Sequence, residues 1–169
     1  MALFERVRDL EGEADVLRRR RYGVIVIEDE RLAEIRLRPW PKIISVAEIS
    51  LLGSRVHDRV TGNRCWLYYN QPLWHSNFLA LKYVVSSRGA SFKTFRTALL
   101  VLDEIARIKR TDALLCEASN LRISDRLLKR WGWESHVASS RRRHFIKRFY
   151  GTYPASDKII GLGTTDRYS

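Results

Sequence analysis

The sequence predicts an α+β domain: a mixed, mainly antiparallel sheet with a central parallel strand pair, flanked by helices. Three observations carry that prediction. Runs rich in β-branched and aromatic residues fill the first half, at 22–27, 32–37 and 65–69. A long run with helical spacing follows, through Phe92, Phe95, Leu99, Leu102 and Ala106. It lies between two apolar stretches, 78–85 and 113–116, and strand–helix–strand within one sheet implies a parallel pair. At 169 residues, 45% of them hydrophobic, the chain suffices for one core and is short for two.

The elements follow in order. Residues 1–21 are rich in charge, with Leu3, Phe4, Val7 and Leu10 spaced for one face of a short helix. Arg18 to Arg21 form a block of like charge, and this segment is predicted as a helical, basic extension of a single domain over 22–150. Strand 22–27 turns at Glu28-Asp29-Glu30 and returns over 32–37, where Pro39 and Pro41 stop it. A third strand is predicted over 43–49, ended by Gly53. The Thr61-Gly62-Asn63 turn leads to strand 65–69, and Pro72-Leu73-Trp74-His75 leads to strand 78–85. After the long helix and strand 113–116, Ile123, Leu127 and Trp131 mark a second helix that Gly132 caps. Strands at 135–139 and 144–150, joined through Arg141-Arg142-Arg143, close the domain. Residues 151–169 are expected to form a loosely held tail.

The net charge of +12 predicts attraction to polyanions: nucleic acid, anionic membrane surfaces or phosphorylated cofactors. A solvated basic surface accounts for the same number. No apolar run approaches the ~20 residues that span a bilayer. The first ten residues lack the apolar core of a secretory signal, so a cytoplasmic protein is expected. Cys65 and Cys116 sit in apolar stretches and are expected as buried free thiols. His57, His75, His136 and His144 are scattered without ligand spacing, and no metal site is predicted.

Residues 79–150 resemble the cofactor-binding half of the GNAT acyltransferase family. The likeness rests on three features. Leu79-Ala80-Leu81-Lys82-Tyr83-Val84-Val85 runs into the loop Ser86-Ser87-Arg88-Gly89-Ala90-Ser91 and then a helix. Leu114-Leu115-Cys116-Glu117-Ala118-Ser119-Asn120 is similar to the family's next strand and its Asn, and Arg130-Trp131-Gly132-Trp133-Glu134 to its Gly-aromatic-Glu ending. The resemblance implies a GNAT-like fold, with acetyl-CoA or another acyl-CoA as cofactor and an amine as acceptor. It implies a diphosphate held by Arg88, Gly89, Ala90, Ser91, Phe92 and Lys93, where helix N–H groups and the dipole make an anion site. Val84 and Val85 would bond the pantetheine arm, and Asn120 would touch it or cap the next helix. Counted from Arg88, the family's two Gly positions fall at Ser91 and Lys93, and its acid Tyr position at Leu128.

Acid–base candidates come from the residues themselves. Glu48 shares strand parity with Ile44 and Val46, which would raise its pKa toward that of a base. His75 precedes the central strand, and Tyr83 lies within it. A salt-bridged edge residue, a loop histidine and a packed ring are the plainer readings. Trp66, Tyr68, Tyr69 and Trp74 form a pocket, a base-stacking platform or core. Two functions therefore stand side by side. One is an acyl-CoA-dependent N-acyltransferase. The other is a non-catalytic protein of that fold, binding nucleic acid or a protein partner through its basic surface.

Overall fold

A computed structural model describes residues 4–41, 61–118, 124–138 and 143–154. The first half contains β1 (Glu5–Val7), α1 (Ala14–Arg19), β2 (Tyr22–Glu28), β3 (Arg31–Arg38) and β4 (Arg64–Asn70). The second contains β5 (Phe78–Ser86), α2 (Phe92–Lys109), β6 (Ala113–Ala118), α3 (Asp125–Arg130), β7 (Glu134–Ala138) and β8 (Arg143–Arg148). One sheet holds all these strands in the order β1-β3-β2-β4-β5-β6-β8-β7. Strands β5 and β6 pair in parallel, and the other pairings are antiparallel.

Alternation and helical spacing account for the core. Helix α2 buries Ala98, Leu99, Val101, Leu102 and Ile105 against Ile25, Ile27, Ile35, Leu67, Leu79 and Leu114 of the sheet. Full burial of each Leu, Ile or Val among them stabilises the fold by about 1.5–3 kcal/mol before chain entropy is counted. Ser91 caps α2 by accepting from the Thr94 amide, and Arg110 ends it at φ 54°. Gly132, at φ 85°, follows α3 as its sequence position predicts. A buried ion pair, Lys147 Nζ to Asp103 Oδ2 at 2.7 Å, ties β8 to α2. Burial pushes the Asp103 carboxyl upward, and Lys147 opposes that shift.

The first segment differs from its predicted form. Residues 5–7 are a strand, with Glu5↔Leu37 and Val7↔Ile35, and the helix comes later at Ala14–Arg19. Three residues are too few to display a period of two, so the spacing of Phe4, Val7 and Leu10 imitates a helical face. Val7, Leu10 and Leu17 join the same core as the sheet. The strand predicted over 43–49, with Glu48, lies outside the described residues, as do Asn120, Ile123, Arg141, Arg142 and everything after 154.

One irregularity shapes the centre of the sheet. Tyr68 faces Tyr83, but Tyr69 faces Leu81, so Lys82 is an extra residue on β5. Such a bulge bends its strand and increases local twist. It also resets the alternation: Leu79 and Leu81 before it, and Val84 after it, all pack toward α2. The parallel ladder with β6 ends at Leu81↔Cys116, directly before the bulge. Strand β5 nevertheless runs on to Ser86, and β6 to Ala118.

Candidate functional site

The end of the ladder and the start of α2 bound a single region. Beyond Leu81, β5 keeps β4 as its partner on one side, through Trp66↔Val85 and Cys65↔Ser86. Its other edge has no ladder partner in β6 beyond Leu81↔Cys116 among the described residues, a split in the pairing of the two parallel strands. An extended chain bearing amides can add to such an edge as a strand would. Trp66, Tyr68, Tyr83 and Val85 share the sheet face opposite α2, with Tyr68 and Tyr83 stacked at 4.1 Å.

The loop after β5 is held by the turn that precedes β4. Ser87 is buried, donates its hydroxyl to Gly62 O at 2.5 Å, and accepts from the Arg64 amide at 3.0 Å. The Ser87 amide donates to Arg64 O at 3.0 Å. A Cβ on Gly89 would stand 2.9 Å from Gly62 O, so glycine is required there for the two backbones to approach. Asn63 Oδ1 accepts from the Ser91 amide at 2.9 Å and from Thr94 Oγ1 at 2.5 Å.

A carboxylate occupies the same helix start. Asp29 and Glu30 form the β2–β3 turn with φ of 48° and 67°, the positive values a two-residue hairpin demands. From there Glu30 accepts from Ser91 Oγ at 3.2 Å and pairs with Lys93 Nζ at 2.6 Å. Those hydrogen bonds, with Lys93 first, hold the Glu30 carboxyl below the usual carboxylate range. Of the loop and first-turn amides, those of Ser87, Ala90, Ser91 and Thr94 bond protein atoms. Those of Arg88, Gly89, Phe92 and Lys93 have no partner among the described residues. Within 88–93, the amides of Ala90 and Ser91 are therefore occupied, four are not, and Lys93 already has an anion.

The acid–base candidates separate. Tyr83 lies at the split. His75 sits exposed before β5, its ring 6.5 Å from Phe78, so about 16 Å of strand divides it from Tyr83. The two do not meet. The aromatic group also divides: Tyr69 is buried toward α2, Trp74 is exposed, and Trp66 and Tyr68 line the open face. Cys65 is buried and Cys116 half-buried, both free, and burial pushes each thiol up to about 12. No group of metal-binding side chains occurs among the described residues. Sequence reasoning missed Glu30 and Asn63, whose turns reach α2 from far away in the chain. Two adjacent turn signals, Asp29-Glu30 and Gly62-Asn63, were the available clue.

No protein-family profile and no curated protein matches the chain. Two solved structures are similar to it in part. One is described as an acetyltransferase of the GNAT family from Desulfovibrio desulfuricans, at 12% identity and a TM-score of 0.42. That overlap takes in 52% of this chain and 62% of the other, less than two thirds of its length. The second is nourseothricin acetyltransferase, at 11% identity and a TM-score of 0.41, over 87% of this chain and 99% of the other.

Proposed function

We propose that the split between β5 and β6 receives the pantetheine arm of an acyl-CoA, and that the protein is an N-acyltransferase acting on an amine. The observation that carries this reading is the bulge at Lys82, adjoining the last parallel pair, Leu81↔Cys116. The pairing with β6 ends there, so between Lys82 and Val85 alternate residues offer backbone groups along an edge where the amides of an extended arm find partners. At the loop, the amides of Arg88, Gly89, Phe92 and Lys93 supply donors for phosphate oxygens, and the exposed Arg88 adds a cation. Glu30 opposes that site by charge, so binding of the diphosphate has to displace its carboxylate from Ser91 and Lys93.

The bound thioester would supply an activated acyl carbon for the amine. The chain's part is chiefly positioning, which contributes to rate by holding reactants at attack distance. Of the two acid–base candidates among the described residues, Tyr83 stands nearer the split and is the one kept, as proton donor to the departing thiolate. His75 has no part in this reading, because it lies at the opposite end of β5.

Isothermal titration with acetyl-CoA and longer acyl-CoA thioesters tests the reading. Saturable binding that weakens in Arg88→Ala, with an unchanged circular dichroism spectrum, is the expected result. Absence of heat at millimolar ligand would overturn it.

A further inference from the structure

We propose that the end of the molecule where β5 and β6 begin docks on an anionic lipid surface, with Leu73, Trp74 and Tyr150 entering the interface. Trp74 and Tyr150 are the most exposed large hydrophobic side chains among the described residues, at 91% and 81%, and Leu73 follows Phe92 at 64%. Tyr150 lines a depression of about 720 Å³, as do Pro72 and His75, which flank Leu73 and Trp74 in the chain. Phe78, Leu115 and Ile146 give its lining an apolar part, and Asp112, His136 and Arg148 a polar one. An exposed apolar patch of this kind marks an interaction site.

The chain gathers cations around that patch. The Arg21 guanidinium donates to Pro72 O at 3.2 Å, and the Gln71 amide donates to Arg21 O at 2.8 Å. Lys109 Nζ donates to Arg20 O at 2.7 Å and to Gln71 Oε1 at 3.0 Å, bringing the end of α2 to the same place. The Asp112 amide bonds Asn77 O at 2.7 Å, and the Phe149 amide bonds Asp112 O at 3.0 Å. Arg20, Arg21 and Lys109 therefore adjoin the loop that carries Leu73 and Trp74, and Arg148 lines the depression together with Tyr150 and Asp112. Glu5, Asp15 and Glu134 pair with Arg20, Arg18 and Arg148 and offset part of the charge. Arg19 and Arg110 remain exposed with no ion pair among the described residues.

An exposed tryptophan and tyrosine, an exposed leucine beside the tryptophan and the neighbouring Arg21 and Arg148 suit a headgroup region. Stacking on nucleic-acid bases would use Trp74 and Tyr150 but gains nothing from Leu73. The split and the start of α2 are at the other end of β5, so docking leaves them facing away from the surface. The inference does not depend on acyl transfer.

Co-sedimentation with vesicles tests it, comparing phosphatidylcholine alone with phosphatidylcholine containing phosphatidylserine. The wild-type chain is expected to sediment with the anionic vesicles and at least about tenfold more weakly with the neutral ones. Leu73→Ala with Trp74→Ala should lower anionic-vesicle partition about tenfold or more, with unchanged circular dichroism. Arg19→Gln and Arg110→Asn should each lower it about fivefold. Failure to sediment, equal binding to neutral vesicles, or indifference to the Leu73 and Trp74 changes would overturn the proposal. So would Trp74-dependent binding to single-stranded RNA without vesicle binding.

Discussion

Glu30 and Lys93 decide how open the helix start is to an anion. Glu30 is held in a turn at positive φ, and its carboxylate sits where a phosphate would compete. Its folded pKa lies below its unfolded value, so its contribution to stability is present above about pH 4.5. That contribution is lost as the pH falls through the lower, folded value. The carboxyl resonance of Glu30 should therefore titrate below the ordinary range in the wild-type chain. In Lys93→Met it should move upward, because the largest cause of the shift is gone. With phosphates at this helix start, Glu30→Gln binds coenzyme A several-fold more tightly, because a like charge beside them is removed. Unchanged affinity would mean that phosphates do not reach this helix start. Neither partner could be read from the sequence. Lys93 looked like a free cation, and Glu30 like an ordinary turn residue, because 61 residues separate Glu30 from Ser91.

At the level of elements, the long helix and most strands were legible because each is amphipathic on a clear period. Helix α2 displays its buried face through Leu99, Leu102 and Ala106 as the spacing indicates. The bulge was not legible. Leu79, Leu81, Tyr83 and Val85 alternate without a break, so the sequence reads as one straight strand, while pairing with β4 inserts Lys82 between two registers. The edge strand β1 was hidden for a different reason, since its partner is specified by β3 rather than by its own three residues. A close approach between strands adds a test. Gly23 lies opposite Tyr69, and a Cβ there would come within 2.6 Å of the Tyr69 hydroxyl and 2.7 Å of its ring. The ring is fully buried and has no room to retreat. Gly23→Ala should lower the unfolding free energy by about 1–3 kcal/mol in urea denaturation. Gly23→Ala combined with Tyr69→Leu should recover part of that loss by vacating the space. A wild-type midpoint in Gly23→Ala would contradict the packing described.

Across the whole molecule, the two ends of β5 carry different chemistry. At its C-terminal end the parallel ladder stops, and Glu30 pairs with Lys93 at the helix start. At its N-terminal end exposed Leu73, Trp74 and Tyr150 sit among arginines. The charge of +12 announced an affinity for anions but not this division, because composition holds no spatial information. Roughly the same limit applies to the candidate site. Loop 86–91 and strand 78–85 were found from their order along the chain, while the residues that fill the loop come from distant turns. His75 looked close to Tyr83 in sequence and proved to be a strand's length away.

Hydrogen–deuterium exchange of the intact chain, with and without acetyl-CoA, reads the central claim at the backbone. An arm on the free edge of β5 with phosphates at the loop slows exchange within Lys82–Val85 and in the amides of Arg88 and Gly89, and leaves the loop carrying Trp74 unchanged. Protection confined to that loop, or none at saturating thioester, would contradict it.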